Sequence, residues 1–92
     1  MPRVYFTKHL LRYFPNLEME GLEIEAFSAK SLVAALDARH PGLAGYLVDD
    51  TGALRKHVNL FVNDEPVLDR KKLGDTLRPG DVVHVMQALS GG

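Results

Sequence analysis

The sequence predicts an α+β domain of two layers, in which one main helix packs on one face of a mixed sheet of four to five strands. Several short segments alternate apolar and polar residues with the period of half-buried strands, whereas a single longer segment has the period of an amphipathic helix. The order of these segments is strand, strand, helix, strand, short strand, strand. A strand–helix–strand connection implies a right-handed crossover, so we expect at least one pair of parallel strands.

Two strands and the main helix are predicted in the first half of the chain. Residues 4–7 are rich in β-forming side chains, and residues 22–26 alternate apolar side chains with two glutamates, which is typical of a strand with one solvated face. Between them, residues 8–20 are expected to contain a short helical turn. The helix begins after Ser28, a favourable N-cap, and ends before Pro41-Gly42. Its apolar face carries Leu32, Val33 and Leu36.

Three strands are predicted in the second half of the chain. Residues 57–62 and 82–87 alternate regularly, and a short return strand begins at Val67. Alternation places successive side chains on opposite faces of the sheet. The predicted inward-facing residues are Val58, Leu60, Val62, Val83 and Val85. The predicted outward-facing residues are His57, Asn59, Phe61, Val82, His84 and Met86.

Turns and connections separate these elements. Residues 43–48 are predicted to be a compact apolar connection, and residues 49–52 and 63–66 are rich in turn-forming side chains. Residues 70–72, an Arg-Lys-Lys run, are predicted to form a solvated bend.

Composition excludes several classes of function. The 92 residues include 11 basic and 12 acidic side chains, and this balance does not indicate an electrostatic nucleic-acid binder. The chain contains no cysteine, which excludes disulfides, thiolate nucleophiles and cysteine-ligated metal sites. No stretch approaches the ~18 apolar residues of a membrane span, and no signal peptide is recognisable. We therefore expect a cytoplasmic protein that binds neither nucleic acid nor a membrane.

The final residues of the sequence, Gly91-Gly92, are the strongest candidate for chemistry. Glycine has no Cβ, so a diglycine segment can thread a narrow channel. A carboxylate on such a tail can be activated as an acyl-adenylate and then attacked by a nucleophile. A frayed terminus is the alternative interpretation of the same residues.

Three stretches resemble the ubiquitin-like sulfur carriers of the MoaD/ThiS group. Residues 58–65 (VNLFVNDE) resemble that family's central strand and its Asn-Asp-Glu turn, and residues 73–83 resemble its Gly-Asp-containing approach to the last strand. Residues 89–92 (LSGG) resemble its tail. The resemblance spans nearly the whole chain and is weakest over residues 8–20 and 41–56.

The resemblance implies a ubiquitin-like β-grasp domain over residues 1–88 and a flexible diglycine tail over residues 89–92. It implies a carrier rather than an enzyme, with Gly92 as the site of adenylation and thiocarboxylate formation and Gly91 giving clearance. A ubiquitin-activating-type adenylyltransferase would use ATP, so the chain itself would bind no cofactor. The other implied partners are a sulfur donor protein and a sulfur-accepting enzyme.

The acceptor pathway stays open between molybdopterin, thiamine and cysteine synthesis. Molybdopterin-synthase small subunits commonly carry proline just before the tail, whereas this chain has Gln87-Ala88, which resembles the thiamine-pathway carriers. The length and the Asn-Asp-Glu turn are similar to those of carriers that serve cysteine synthesis.

A partner-binding surface is predicted on the sheet face opposite the helix. Alternation brings Phe61, His84 and Met86 to that face, and we expect Leu89 to extend it. Large apolar side chains clustered on an exposed face are typical of interfaces. The alternative is that residues 8–20 fold over this face and bury it.

Other classes of function remain as alternatives. A ubiquitin-like modifier would transfer the same activated Gly92 to a protein lysine, and an unrelated binding module would not use the tail. Asp50-Thr51-Gly52 matches the short motif of aspartic proteases, which need two such aspartates sharing a proton, but a turn explains it more simply. No metal site is predicted, since four histidines lie far apart in the sequence: His9, His40, His57 and His84.

Overall fold

Five strands form one mixed sheet in the computed structural model, which describes residues 1–87. The spatial order of the strands is β2-β1-β5-β3-β4. Strands β1 and β5 are parallel, and every other neighbouring pair is antiparallel. The predicted parallel pair is thus confirmed, between the first and last strands. The strands are β1 (Arg3–Phe6), β2 (Leu22–Glu23), β3 (Val58–Val62), β4 (Glu65–Pro66) and β5 (Val82–Gln87).

Helix α1 (Ala29–Arg39) packs on one face of this sheet. Its start is a capping box made by two serines. The Ser28 hydroxyl accepts a hydrogen bond from the Ser31 N–H at 3.0 Å, and the Ser31 hydroxyl accepts one from the Ser28 N–H at 3.0 Å. The predicted cap and the predicted apolar face are both confirmed, since the side chains buried beneath the helix include Leu32, Val33 and Leu36.

Strand β2 is shorter than predicted, so the expected strand over residues 22–26 is wrong beyond Glu23. The Ile24 N–H donates to the Pro2 carbonyl at 3.1 Å, and the chain then turns away to reach the cap at Ser28. Ser28 forms an isolated bridge with Thr76 instead of extending the edge strand.

A second short helix, α2 (Leu43–Leu47), forms where only a compact apolar connection was predicted, over residues 43–48. Gly42 precedes it with a φ of 98°, a conformation that glycine adopts without strain. The Asp37 carboxylate of α1 accepts hydrogen bonds from the N–H groups of Gly42 and Ala44, at 3.1 and 3.0 Å. This cap from another helix stabilises an element that is too short to show a clear sequence period.

A two-residue turn joins β3 to β4. Both central residues have positive φ, 51° at Asn63 and 69° at Asp64, as a type I′ hairpin requires. Val62 pairs with Glu65 and Phe61 with Pro66, so the return strand is β4 (Glu65–Pro66) and the prediction that it begins at Val67 is wrong. Because the turn has only two residues, pairing with β3 begins at Glu65 rather than at Val67. One further bond follows, from the Val67 N–H to the Leu60 carbonyl at 2.9 Å.

The Asn63 side chain ties this turn to the start of β5. Its amide donates to Asp81 at 2.9 Å, and its carbonyl oxygen accepts from the Val82 N–H at 2.9 Å. The Arg78 N–H and the Asn63 amide both bond the Asp81 carboxylate and lower its pKa. Residues 58–65 and 73–83, the two internal stretches that resemble the carrier family, are therefore in contact. The bonds between them stabilise the fold.

Replacing Asn63 tests this link. We expect Asn63→Ala to lower the free energy of unfolding by about 2 kcal/mol, because alanine disfavours positive φ and cannot make either side-chain bond. Asn63→Gly keeps the backbone preference and should lose only about 1 kcal/mol. Urea unfolding of both variants gives these values. Equal losses would show that the left-handed backbone contributes nothing to the difference.

Arg70 corrects the prediction of a solvated bend over residues 70–72. Its half-buried guanidinium donates to the Asn59 side chain at 2.9 Å and to the carbonyls of Arg55 and Val58 at 2.7 and 2.8 Å. Lys71 and Lys72 are exposed, as expected. Arg70 thus fixes the loop before β3 against the loop after β4.

Among residues 1–87, no helix has the length and apolar character needed to span a membrane.

Candidate functional site

The sheet face opposite α1 carries a row of four side chains across four strands. Register pairs His84 of β5 with Tyr5 of β1 and with Phe61 of β3, and Phe61 in turn pairs with Pro66 of β4. Directly paired residues point to the same face of a sheet. Together with Met86, they form what we call the docking face: Tyr5, Phe61, Pro66, His84 and Met86.

A shallow depression of about 330 Å³ lies within the docking face, between Phe61, Asp64, His84 and Met86. Met86 is 40% exposed at its edge, whereas Phe61 and His84 are half-buried. The three residues predicted to share this surface therefore do lie together. Their role in partner binding remains a prediction.

Stacking fixes the orientation of His84. The rings of Tyr5 and His84 lie 5.3 Å apart at an interplanar angle of 20°. Arg3 donates to the Tyr5 hydroxyl at 3.1 Å, and its guanidinium carbon lies 5.8 Å from the centre of the Tyr5 ring. At Gly21 an added Cβ would lie 2.6 Å from Arg3 Nε, so a glycine there lets Arg3 lie across the sheet edge. One side of the docking face is thus both aromatic and cationic.

Residues 8–20 do not cover this face, so the alternative that they bury it is wrong. They contain a 3₁₀ helix (Lys8–Arg12) and pack on the helical side of the sheet. Tyr13 and Phe14 contact the ring of Tyr46 in α2, with centroids 4.6 and 5.8 Å apart. This packing leaves the docking face uncovered by the segment.

Glu18 anchors the same segment to the end of α1. Its carboxylate bonds His40 Nε2 at 2.7 Å and also pairs with Arg39. Partial burial raises the pKa of Glu18, but the hydrogen bonds from His40 and Arg39 outweigh it and hold that pKa below its usual value. The segment is therefore attached to the helices by charge as well as by aromatic packing.

The predicted tail residues Leu89, Gly91 and Gly92 lie outside the described residues, as does the predicted domain boundary at residues 88–89. Strand β5 is paired with β3 as far as Gln87, which lies opposite Val58. Met86 of the docking face immediately precedes Gln87, the last residue that the structure describes.

Asp50-Thr51-Gly52 is a turn, as its simpler interpretation predicted. The Asp49 carboxylate accepts bonds from the Thr51 N–H and hydroxyl, at 2.9 and 2.6 Å, and these bonds lower its pKa. Gly52 has a φ of 89°, and Asp50 is exposed. Within the part of the chain that the structure describes, no group of three or more metal-ligating side chains is close enough to hold a metal ion.

Sequence reasoning missed two members of the docking face, Tyr5 and Pro66, and Arg3, which lies beside Tyr5. The alternation of β1 could have indicated that Tyr5 points away from the core. The contact of Tyr5 with His84 follows from the parallel pairing of β1 with β5, which no local pattern reveals.

Comparisons with known proteins extend this description. A family model described as the ThiS family matches residues 10–92. Small archaeal modifier protein 3 of Haloferax volcanii is 34% identical over 61 residues, which cover 66% of this chain and 65% of that protein. Sulfur carrier protein CysO of Mycobacterium bovis is 33% identical over 64 residues, which cover 67% of this chain and 69% of that protein.

Solved structures share the whole fold. One chain in the crystal structure of the Amycolatopsis orientalis BexX/CysO complex superposes with a TM-score of 0.83 at 22% identity, and the match covers 100% of both chains. This likeness confirms the predicted ubiquitin-like β-grasp fold.

Proposed function

The chain belongs to the ThiS family, and from this premise we propose that it is a sulfur carrier that holds sulfur as a thiocarboxylate on Gly92. The observation that carries the proposal is the extent of the family match, which runs through Gly91 and Gly92. A general role as a sulfur carrier or ubiquitin-like protein agrees with its relatives, a sulfur carrier protein and a small archaeal modifier protein.

The proposed chemistry takes place on the carboxylate of Gly92. A carboxylate oxygen attacks the α-phosphorus of ATP bound by a partner, pyrophosphate leaves, and an acyl-adenylate forms. A nucleophilic sulfur atom at the oxidation level of sulfide then attacks the acyl carbon, and AMP leaves with the bridging oxygen. The product is a thiocarboxylate, whose sulfur is passed to an acceptor in cofactor or cysteine synthesis.

The chain acts in this scheme as a substrate of its partners. It has no cysteine, so a side-chain persulfide is excluded and the main-chain carboxylate is the place for sulfur. Activating and sulfur-donating groups belong to an adenylyltransferase and a sulfur donor protein, and a third enzyme accepts the sulfur. ATP is bound by the adenylyltransferase, and we assign the reaction to the cytoplasm.

The docking face is the surface that we assign to the adenylyltransferase. Phe61, His84 and Met86 supply apolar and aromatic contact area, and interfaces are enriched in aromatic residues and methionine. The face adjoins Gln87, after which Leu89 and the diglycine follow in the sequence. A partner seated there can contact the domain and receive the tail at the same time.

Intact mass spectrometry of the protein purified from its native host tests the proposal. Under sulfur-replete conditions we expect a fraction of the chain to carry the mass increase that replaces one oxygen by one sulfur. Fragmentation should place the increase on Gly92, and alkylation of the thiocarboxylate should shift it further. A chain whose mature form continues beyond Gly92, or which never gains sulfur, would contradict the proposal.

A ubiquitin-like modifier is the second candidate, and the 34% identity to a small archaeal modifier protein favours it specifically. In that function a lysine amine of a target attacks the Gly92 acyl-adenylate, giving an isopeptide bond and AMP. Tryptic digestion of the cell extract would then leave a C-terminal peptide of this chain, ending in Gly91-Gly92, on lysines of other proteins, because no Lys or Arg follows Arg78. Such remnants without any thiocarboxylate would favour the modifier over the carrier.

A further inference from the structure

A groove of about 630 Å³ lies on the helical side of the molecule, away from the docking face. It runs between α1, α2, the turn at residues 51–52 and the loop at residues 71–73. Its floor is largely apolar and includes Val33, Ala44, Val48 and Leu73. Lys30, Lys71 and Lys72 stand around it, and we call it the lysine groove.

The three lysines outnumber Asp37, the acidic residue in the lining of the groove. All three are exposed, and none forms a salt bridge with residues 1–87. The nearby carboxylates are already engaged with backbone N–H groups: Asp37 caps α2, and Asp69 accepts from the N–H groups of Lys72 and Gly74. An acidic ligand would therefore meet free ammonium groups.

The position of Lys30 adds to the positive electrostatic potential of the groove. It lies in the first turn of α1, where the helix dipole is positive and acidic residues are favoured, yet this turn contains no acidic residue. The backbone donors of the turn are occupied, since the N–H groups of Ala29 and Lys30 donate to Asp75 and Leu73 carbonyls at 2.9 and 2.8 Å. This turn therefore has no group of free N–H donors that could bind a compact phosphate. An acidic ligand would be bound by the lysine side chains instead.

The loop that carries Lys71 and Lys72 is held in place before any ligand binds. Leu73 is 1% exposed and has a φ of 54°, an unfavourable conformation for leucine. Its N–H donates to the Asp69 carbonyl at 2.9 Å, and Arg70 is fixed by the bonds described above. A pre-organised loop backbone loses less conformational entropy on binding, so the main entropic cost is the ordering of the exposed lysine side chains.

We propose that the lysine groove binds an acidic segment of a protein partner, one whose carboxylates alternate with apolar side chains. The carboxylates pair with Lys30, Lys71 and Lys72, and the apolar side chains lie on Ala44 and Val48, the half-buried apolar residues of the floor. Because the groove and the docking face are on opposite sides of the sheet, both can be occupied at once. This proposal does not depend on the chemistry of Gly92.

Nuclear magnetic resonance titration of the full chain, labelled with ¹⁵N, tests the proposal. The probe is a short synthetic peptide of alternating Glu and Leu residues, and we expect saturable amide shifts at the groove and none at Phe61 or Met86. The double variant Lys71→Glu/Lys72→Glu should weaken binding by about tenfold or more. Lys56→Glu is the matched control, because Lys56 is exposed and does not line the groove, and it should bind like the unaltered chain.

Several outcomes would overturn the proposal. Shifts centred on the docking face would place the peptide elsewhere, and equal weakening by Lys56→Glu would show only a general effect of charge. If a peptide with Ser in place of Leu binds equally well, the apolar floor does not contribute to binding. Displacement by inorganic phosphate at similar concentration would identify a compact anion site. Melting curves of each variant separate these outcomes from unfolding.

Discussion

Removing Gly92 is expected to abolish thiocarboxylate formation while leaving the thermal stability of the chain unchanged. The truncated chain still ends in a carboxylate, but one residue of extended backbone spans at most about 3.3–3.6 Å, so that carboxylate falls short by roughly this distance. Misplacement of a reacting group by about 1 Å can cost about 100-fold in rate, and we expect a loss larger than this.

Stability should not change, because the described core is complete before the tail begins. The last buried apolar residue in the described range is Val85, and β5 ends at Gln87. Pyrophosphate exchange with the activating enzyme measures the first step, and intact mass measures the product. Thermal unfolding followed by circular dichroism measures the stability.

Gly92→Ala provides the matched control. It keeps the number of residues and adds one methyl group. It therefore tests whether the partner's channel has room for a side chain, separately from whether the tail is long enough to reach the reacting groups. We expect it to retain more activity than the truncated chain. Thiocarboxylate formation by the truncated chain at the original rate would show that Gly92 is not the reacting residue.

The fold was predictable from the sequence wherever local pattern and burial agree. Alternation identified β3 and β5 because one face of each strand is buried, and α1 was identified by its cap at Ser28 and its apolar face. Helix α2 was missed because its cap, Asp37, comes from the preceding helix. The early end of β2 depends on its partner strand: the Ile24 N–H still donates to the Pro2 carbonyl in register, but proline has no N–H to return a bond, and local sequence does not reveal this pairing.

The candidate site was predictable in part for the same physical reason. Phe61, His84 and Met86 follow from alternation within their own strands. The contribution of Tyr5 depends on the register of β1 against β5, two strands at opposite ends of the sequence. Arg70 looked like a solvated charge because its acceptors include main-chain carbonyls, which every residue has and no sequence pattern marks.

Phe61→Asp is expected to weaken binding of the adenylyltransferase by about 30-fold or more while the chain stays folded. Phe61 occupies the middle of the docking face, between His84 and Pro66, and central aromatic residues commonly contribute about 2 kcal/mol or more to an interface. The introduced carboxylate would also lose its hydration when the partner binds, and this cost lowers the binding affinity further. Met86→Asp, at the edge of the depression, should weaken binding to a smaller extent.

The fold should tolerate Phe61→Asp, because the side chain lies on the uncovered face and its cross-strand contacts are worth only about 1 kcal/mol. Phe27→Asp is the matched control, since Phe27 is 75% exposed and lies outside the docking face. Steady-state adenylation should show a raised KM for the Phe61 variant with kcat nearly unchanged, because Gly92 and its chemistry remain intact. Unfolding of the Phe61 variant would show that the side chain is part of the core. An equal rise in KM for the Phe27 variant would show that the partner does not distinguish the docking face from the rest of the surface.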